Sequence, residues 1–433
     1  MAFVCKFGGS SVADVGQIHK ITKIIHSSPE RRYIVVSAPG KRNSSDEKIT
    51  DLLYLCHKLA AQGLDIKEPF HLIRERYLTL ADGLGIEIDL AALIAELEHE
   101  IKSGASVDFV VSRGEYLCAR LMAAHLSAAF VDTADCIKFN NSGRMDEGSY
   151  GLLAEKLQGN GIYVLPGFYG SSPNGEIRTF SRGGSDITGA VVAHAVKASV
   201  YENWTDVSGF LMTDPRIVDN PKPMRRVTYR EIRELAYLGA NVFHEEAIFP
   251  VYKERIPINI RNTNVPDNPG TLIVHKRDVG RNIVAGIAGK RNFSLIFIEK
   301  LLMNREIGFG RRLFGILESF GVSFEHAPTG IDTMSVIVQD SQLEGKAPAI
   351  LEEIQHILAP DRVEIKKGFA LIATVGEGMA YKTGIAARLF TALAEEKINV
   401  RVIDQGSSEI NIIVGVEEAD YERAMNAIYR AFC

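Results

Sequence analysis

At 433 residues, with 46% hydrophobic and 24% charged residues, the chain is long enough for two or three domains with sizeable cores. A formal net charge of −5 excludes an overall basic field that would draw it to nucleic acid or anionic lipid, so any anion site must gather positive groups locally. Five scattered cysteines without a C-x-x-C pair, no basic-then-apolar leader, and no apolar run near the ~18 residues that span a bilayer predict a soluble protein of a reducing cytoplasm, with no disulfide framework and no structural zinc.

In chain order, Ala2–Phe7 reads as a short apolar strand, Gly8-Gly9-Ser10-Ser11 as a turn with Ser10 or Ser11 as helix cap, and Val15–Ile25 as a helix. Tyr33–Val36 is a buried-type strand ending in Ser37-Ala38-Pro39-Gly40, and residues 50–103 are mostly helical. Further strand-to-turn steps are expected at Asp108–Ser112, Ile162–Leu165, Ser199–Trp204 and Ile256–Ile260, with a last strand at Thr271–Val274 and a helix over Thr188–Val196. Such alternation predicts an α/β domain with a mainly parallel sheet and ligand sites at the strand C-termini.

The final third repeats itself. A shift of 76 positions lays Gly308 on Gly384, Arg312-Leu313-Phe314 on Arg388-Leu389-Phe390, Leu317 on Leu393, and Val336-Ile337-Val338 on Ile412-Ile413-Val414. Each copy, led by its own apolar strand (Leu295–Ile298 or Ala370–Val375), reads as a βαββαβ unit of ferredoxin-like type suited to binding or dimerisation.

Four segments carry possible chemistry. Lys6-Phe7-Gly8-Gly9-Ser10-Ser11 suits phosphate, since the glycines let backbone N–H groups approach and Lys6 adds a charge; a plain strand-turn-helix competes with that reading. No Walker pattern and no G-x-G-x-x-G after the first strand occurs. Arg182 offers a carboxylate fork beside Gly183-Gly184-Ser185, and Asp186 would anchor a lysine or a metal, although Ser185 or Asp186 would equally cap a helix. Glu115 reads as the opening of a helix, where a carboxylate complements the dipole. Trp204–Arg216 reads as a functional loop or a solvated turn, and His244 as structural.

Taken together, KFGGSSV, SRGE, FSRGGSD, WTDVSGFLMTDPR and the terminal pair of repeats resemble the aspartate kinases of the amino-acid-kinase superfamily, in that family's order along the whole chain. The resemblance implies an α/β fold: an αβα sandwich with a mainly parallel sheet over residues 1–283, then two ferredoxin-like ACT domains at 284–366 and 367–433. It implies transfer of the ATP γ-phosphoryl group to the β-carboxylate of L-aspartate with Mg²⁺, the first step towards lysine, threonine and methionine. Lys6 and Asp186 would be catalytic; Lys6, Gly8, Gly9, Ser10, Thr205, Asp206, Leu211, Arg216 and Asn241 would meet ATP; Ser37, Thr50, Glu115, Arg182, Gly183, Gly184 and Ser185 would hold aspartate. No protein cluster dedicated to a metal is implied.

Three departures stand out: Leu211 where many relatives have tyrosine, Asn241 where they have lysine, and a longer, more charged Ser37–Thr50 segment, in which Lys41, Arg42 or Lys48 would restore the missing charge. The resemblance places an amino-acid effector, lysine in preference to threonine, near Met303, Phe309, Ser323, Glu325 and Thr329. It also implies a homo-oligomer (dimer or tetramer) paired through the ACT domains, whose units can intertwine in that family, and a monofunctional enzyme. Two alternatives stay open: a sister kinase acting on glutamate, N-acetylglutamate, carbamate or a nucleotide, and an amino-acid sensor with a decayed kinase region.

Overall fold

The computed structural model describes residues 1–181, 183–239, 245–280 and 283–433, without the side chains of 245–248. It divides into two compact units. The first comprises Met1–Phe210, Met224–Tyr229 and Phe243–Arg277; the second comprises Leu211–Pro223, Arg230–Val242 and Asp278–Cys433. Two short segments of the stretch expected to be wholly catalytic thus group with the C-terminal repeats.

The order of elements is β1 (Phe3–Phe7), α1 (Val15–His26), β2 (Arg31–Val36), α2 (Ile49–Ala61), α3 (Lys67–Gly83), α4 (Leu90–Lys102), α5 (Val107–His125), β3 (Ala129–Phe130), α6 (Thr133–Cys136) and α7 (Gly148–Lys156). There follow β4 (Tyr163–Pro166), β5 (Tyr169–Ser171), β6 (Ile177–Thr179), α8 (Gly184–Ala195), β7 (Val200–Thr205), β8 (Arg226–Thr228), α9 (Tyr229–Tyr237), α10 (Glu245–Lys253), β9 (Ile258–Asn262) and β10 (Thr271–Val274). Eight strands form one sheet in the order β3-β4-β2-β1-β7-β9-β10-β8, parallel except for the β9–β10 pair.

Strand alternation sorts β1 and β7 by face. Cys5, Phe7 and Trp204 pack with Ile18, Ile21, Ile24 and Ile25 of α1 and the apolar sides of α2–α5. Lys6, Tyr201 and Asn203 turn the other way, to α8, where all three reach Asp186. On the α1 side, buried Glu202 takes Nε of Arg31 at 2.8 Å and Nη1 of Arg261 at 3.2 Å, and both guanidiniums lie over the Trp204 ring. Burial alone would raise the Glu202 carboxyl, but these guanidiniums and the indole N–H hold it below its usual range.

Four local expectations fail. Asp108–Ser112 is helix, not strand, and Glu115 sits in the middle of α5 rather than at its start. The apolar run Phe109-Val110-Val111 is the buried face of a long helix, which a short run does not distinguish from a strand. Helix α8 starts at Gly184, four residues early, because Gly183 supplies a left-handed N-cap (φ 61°) and neither Ser185 nor Asp186 caps it. The cap of α1 is likewise Asp14, accepting from the Gln17 N–H, not Ser10 or Ser11.

The second unit continues with β11 (Gly286–Glu299), α11 (Phe309–Ser319), β12 (Thr333–Gln339), α12 (Asp340–Leu343), α13 (Ala347–Leu358), β13 (Arg362–Val375), α14 (Ile385–Glu395), β14 (Val402–Asp404), β15 (Asn411–Glu417) and α15 (Tyr421–Phe432). Gly308 and Gly384, paired by the repeat, are both left-handed N-caps, with φ 79° and 85°. A single five-stranded antiparallel sheet, β12-β11-β13-β15-β14, joins the two repeats. Its long strands are shared: Phe293–Glu299 pairs with β12 and Arg362–Lys366, whereas Gly286–Lys290 pairs with Leu371–Val375. Val284 and Ile287, expected in the first repeat, therefore lie in the core of the second, and the repeats are intertwined.

Candidate active site

The carboxyl ends of β1, β2, β4 and β7 and the start of α8 meet in the first unit at a cleft of about 670 Å³. It is lined by Lys6, Gly9 and Ser10 from β1 and the first turn, Ser37 from the second turn, Thr50 from the start of α2, Glu115 from α5, Gly183–Asp186 from the start of α8, and Asp206 beyond β7. Residues far apart in the sequence thus face one space, as the topology of an open parallel sheet dictates.

Lys6 is buried, with Nζ 2.7 Å from Oδ1 of Asp186. Asn203 donates to the same oxygen at 2.8 Å and the Tyr201 hydroxyl to the Asp186 carbonyl at 3.0 Å, so both ends of Asp186 are fixed. The two turns touch backbone to backbone. Gly40 N–H donates to the Gly9 carbonyl at 2.8 Å, and a Cβ on Gly40 would meet the Gly9 carbonyl carbon at 2.8 Å. Phe168 lines the cleft in the left-handed region (φ 81°), its N–H held by the Thr188 hydroxyl at 3.1 Å. For a bulky residue that is backbone strain of the kind that gathers at functional sites.

Glu115 is 5% exposed and its Oε2 has no hydrogen-bond partner. Burial pushes its carboxyl up to about 8, against the opposing pull of the Ala38 backbone N–H and the Lys6 charge. A buried carboxyl with an unsatisfied oxygen facing a cleft is suited to receive a cationic group.

Comparison with known proteins decides the lineage. The amino acid kinase family model matches residues 1–262, and an ACT domain model matches residues 372–432. The chain belongs to the amino acid kinase family. Within it, it is an aspartokinase by descent: it is 39% identical to aspartokinase 3 of Bacillus subtilis, over 99% of this chain and 98% of that one. The crystal structure of Clostridium acetobutylicum aspartate kinase superposes with a TM-score of 0.94 at 51% identity, covering 100% and 99% of the two chains. Escherichia coli aspartokinase III superposes at 0.72 in its complex with aspartate and ADP and at 0.76 in its complex with lysine and aspartate. Each match has 27% identity and covers 100% of this chain and 99% of that one.

For an aspartokinase, the first unit gathers most of the described residues expected at the site. Gly8 and Thr205 flank the cleft in sequence: Gly8 N–H donates to the Trp204 carbonyl, and the Thr205 hydroxyl to Asp206. Leu211 and Arg216 belong to the second unit, where Arg216 forks onto Asp214 and is largely exposed. Arg182, Asn241 and His244 lie outside the described residues. Of the effector residues, Met303 and Phe309 bury their side chains in the first-repeat core, whereas Ser323 and Thr329 are exposed. Glu325 is half-buried and its carboxylate accepts from the Tyr237 hydroxyl.

Sequence reasoning missed Asn203, whose only signal was a polar residue within an apolar strand, and Phe168, which carried none. It also missed a second-repeat cleft of about 480 Å³ between the start of α14 and the Gln405–Ser407 turn. No group of three or more His, Cys, Asp or Glu among the described residues is placed to hold a metal. Magnesium needs no such cage, since it keeps waters and takes one or two carboxylates beside phosphate oxygens; Asp206, on the cleft wall, fits that part.

Proposed function

We infer that the chain transfers the γ-phosphoryl group of ATP to the β-carboxylate of L-aspartate. The observation that carries this reading is the shared cleft, which sets Lys6, tied to Asp186, opposite the buried carboxyl of Glu115. In this reading a β-carboxylate oxygen attacks the γ-phosphorus, the bond to the bridging oxygen breaks, and ADP leaves with the electron pair. The nucleophile is an anion at neutral pH, so no general base is required. Catalysis rests on positioning and on neutralising charge at phosphorus.

Lys6, oriented by Asp186 and Asn203, stabilises the transferring phosphoryl group above the Gly8–Gly9 turn. Glu115 receives the α-ammonium of aspartate, and Ser37, Thr50 and Ser185 supply hydroxyl donors, with Arg182 assigned the α-carboxylate. Magnesium bound with the nucleotide would supply further neutralisation of phosphate charge, with Asp206 as its protein ligand. Thr205 completes the first unit's part of the nucleotide assignment.

The intertwined repeats act as the regulatory part, binding an amino acid, with lysine favoured; the likeness to the lysine-bound E. coli aspartokinase III supports that preference. Pairing through these repeats gives a homo-oligomer in the cytoplasm. The test is ATP-dependent formation of aspartyl phosphate, trapped as the hydroxamate, with glutamate in parallel and lysine or threonine added. Turnover with aspartate that Lys6→Ala abolishes supports the reading; ATP binding without turnover on any amino acid overturns it.

A further inference from the structure

Among the described residues the cleft is short of unpaired positive charge: its lining carries three lysines, Lys6, Lys41 and Lys48, beside the acidic Asp51, Asp186 and Asp206, and Lys6 is already paired with Asp186. Beside magnesium, Lys41 and Lys48 are therefore the described lining's cations left to meet a polyanionic triphosphate, and without them the described side chains would offer it one lysine already engaged by a carboxylate.

The segment that carries these lysines is built, not loose. It leaves β2, locks Gly40 onto Gly9, and is then clasped from below by Arg76 of α3. Arg76 is 4% exposed and donates to the Gly40 carbonyl at 2.8 Å and to the Asp46 carboxylate. Asp46 also takes the Arg42 Nε and backbone N–H, both at 2.9 Å. The Arg42 hydrogen bonds hold the Asp46 carboxyl well below the usual carboxylate range, against the upward push of burial. Arg42 is therefore spent on the clasp and is not a free cation for the cleft. Lys41 and Lys48 flank the clasp, line the cleft, and have no ion pair or side-chain hydrogen bond to any described residue.

We propose that Lys41 and Lys48 are the nucleotide's phosphate-binding cations, presented over the Lys6–Gly9 turn by the Arg76–Asp46–Arg42 clasp, with Asp46 as a positioning residue. This rests on the kinase reading above and names the groups that hold its phosphates. A charge-assisted hydrogen bond to phosphate is worth about tenfold to a hundredfold in binding.

The experiment measures KM for ATP, KM for aspartate and kcat for Lys41→Ala, Lys48→Ala and the double variant, with calorimetric binding of ADP alongside. The double variant is expected to raise KM for ATP and weaken ADP at least tenfold, and to leave KM for aspartate within about twofold. Asp46→Asn should reproduce part of that rise, and Asp46→Glu should recover it, which loss of fold would not do. If the parent turns over and the double variant keeps its KM for ATP within twofold, the proposal is overturned. If the parent binds ADP but phosphorylates no amino acid, loss of ADP binding in the double variant upholds the lysines and sinks the kinase reading alone. Failure of the parent to bind ADP overturns both.

Discussion

Nζ of Lys6 and Oδ1 of Asp186 stand 2.7 Å apart across the first strand and the start of α8, 180 positions away in sequence. Lys6 is buried and Asp186 half-buried, so the ammonium is fixed in place before any substrate arrives. Lys6→Ala should lower kcat by about two to three orders of magnitude, as loss of one fixed donor to a transition-state charge does. Asp186→Asn keeps the shape but loosens Lys6, and should lower kcat with a smaller change in KM for ATP. Steady-state kinetics of both variants check this. Unchanged kcat in Lys6→Ala would remove Lys6 from the chemistry.

Glu115 makes aspartate binding pH-dependent. With its carboxyl raised to about 8 by burial, most empty clefts hold the proton at neutral pH. An α-ammonium favours the carboxylate, so binding expels that proton. KM for aspartate should therefore fall as pH rises from 6 towards 8, by up to about tenfold per unit, and level off above. Glu115→Gln should flatten that slope. The same group lowers stability as pH rises from about 4.5 to about 8, because the folded chain keeps a proton that the unfolded chain releases. A flat KM profile in the parent would refute the ammonium role.

Gly9 and Gly40 are glycines for reasons of space. A Cβ on Gly9 would stand 2.9 Å from the Ala38 carbonyl oxygen, and one on Gly40 would stand 2.8 Å from the Gly9 carbonyl carbon. Both clashes are with backbone, which has nowhere to go. Gly40→Ala should cost about 1–3 kcal/mol in urea unfolding and disturb the phosphate turn. Gly63→Ala, in open space but with φ 69°, is the control for backbone conformation alone.

How far the fold was legible follows from where the signal lay. Val15–His26 and Thr271–Val274 were readable because periodicity or strand propensity was strong and the flanking turns were clear. The repeat was readable by self-comparison, and its Gly308 and Gly384 caps match in place. Asp108–Ser112 misled because Phe109-Val110-Val111 is too short to reveal its period, and the helix around Glu115 is buried on several sides. Lys6 and Asp186 were found as separate motif residues, but their pairing, and Asn203 beside them, depended on which face of β1 and β7 meets α8. The Arg76–Asp46 clasp joins two polar residues that look like surface charge in sequence.

The buried Arg31–Glu202–Arg261 group makes a stability prediction. Glu202 is 2% exposed and is the carboxylate that offsets both guanidiniums around Trp204. Glu202→Ala leaves two half-buried or buried cations without it and should destabilise the first unit by about 3–5 kcal/mol. Trp204 is the only tryptophan, so its fluorescence reports unfolding of this unit directly. A shift in urea midpoint below that of a surface Glu→Ala control would show that the pair contributes nothing.

The last prediction concerns the crossed strands. Ile287 lies early in β11 yet packs in the core of the second repeat, whereas Ile296, nine residues on in the same strand, packs in the core of the first. Ile287→Ala should cost about 2–5 kcal/mol and release amide protons of β15 and α14 to exchange, while those of β12 and α11 stay protected. Ile296→Ala should do the reverse. The strand itself explains the crossing: Asn292 adopts φ 67° and the register with β13 shifts between Lys290 and Phe293, so the two ends of β11 face different cores. Loss of protection in the first repeat on Ile287→Ala would mean that the repeats are consecutive and the crossing is wrong.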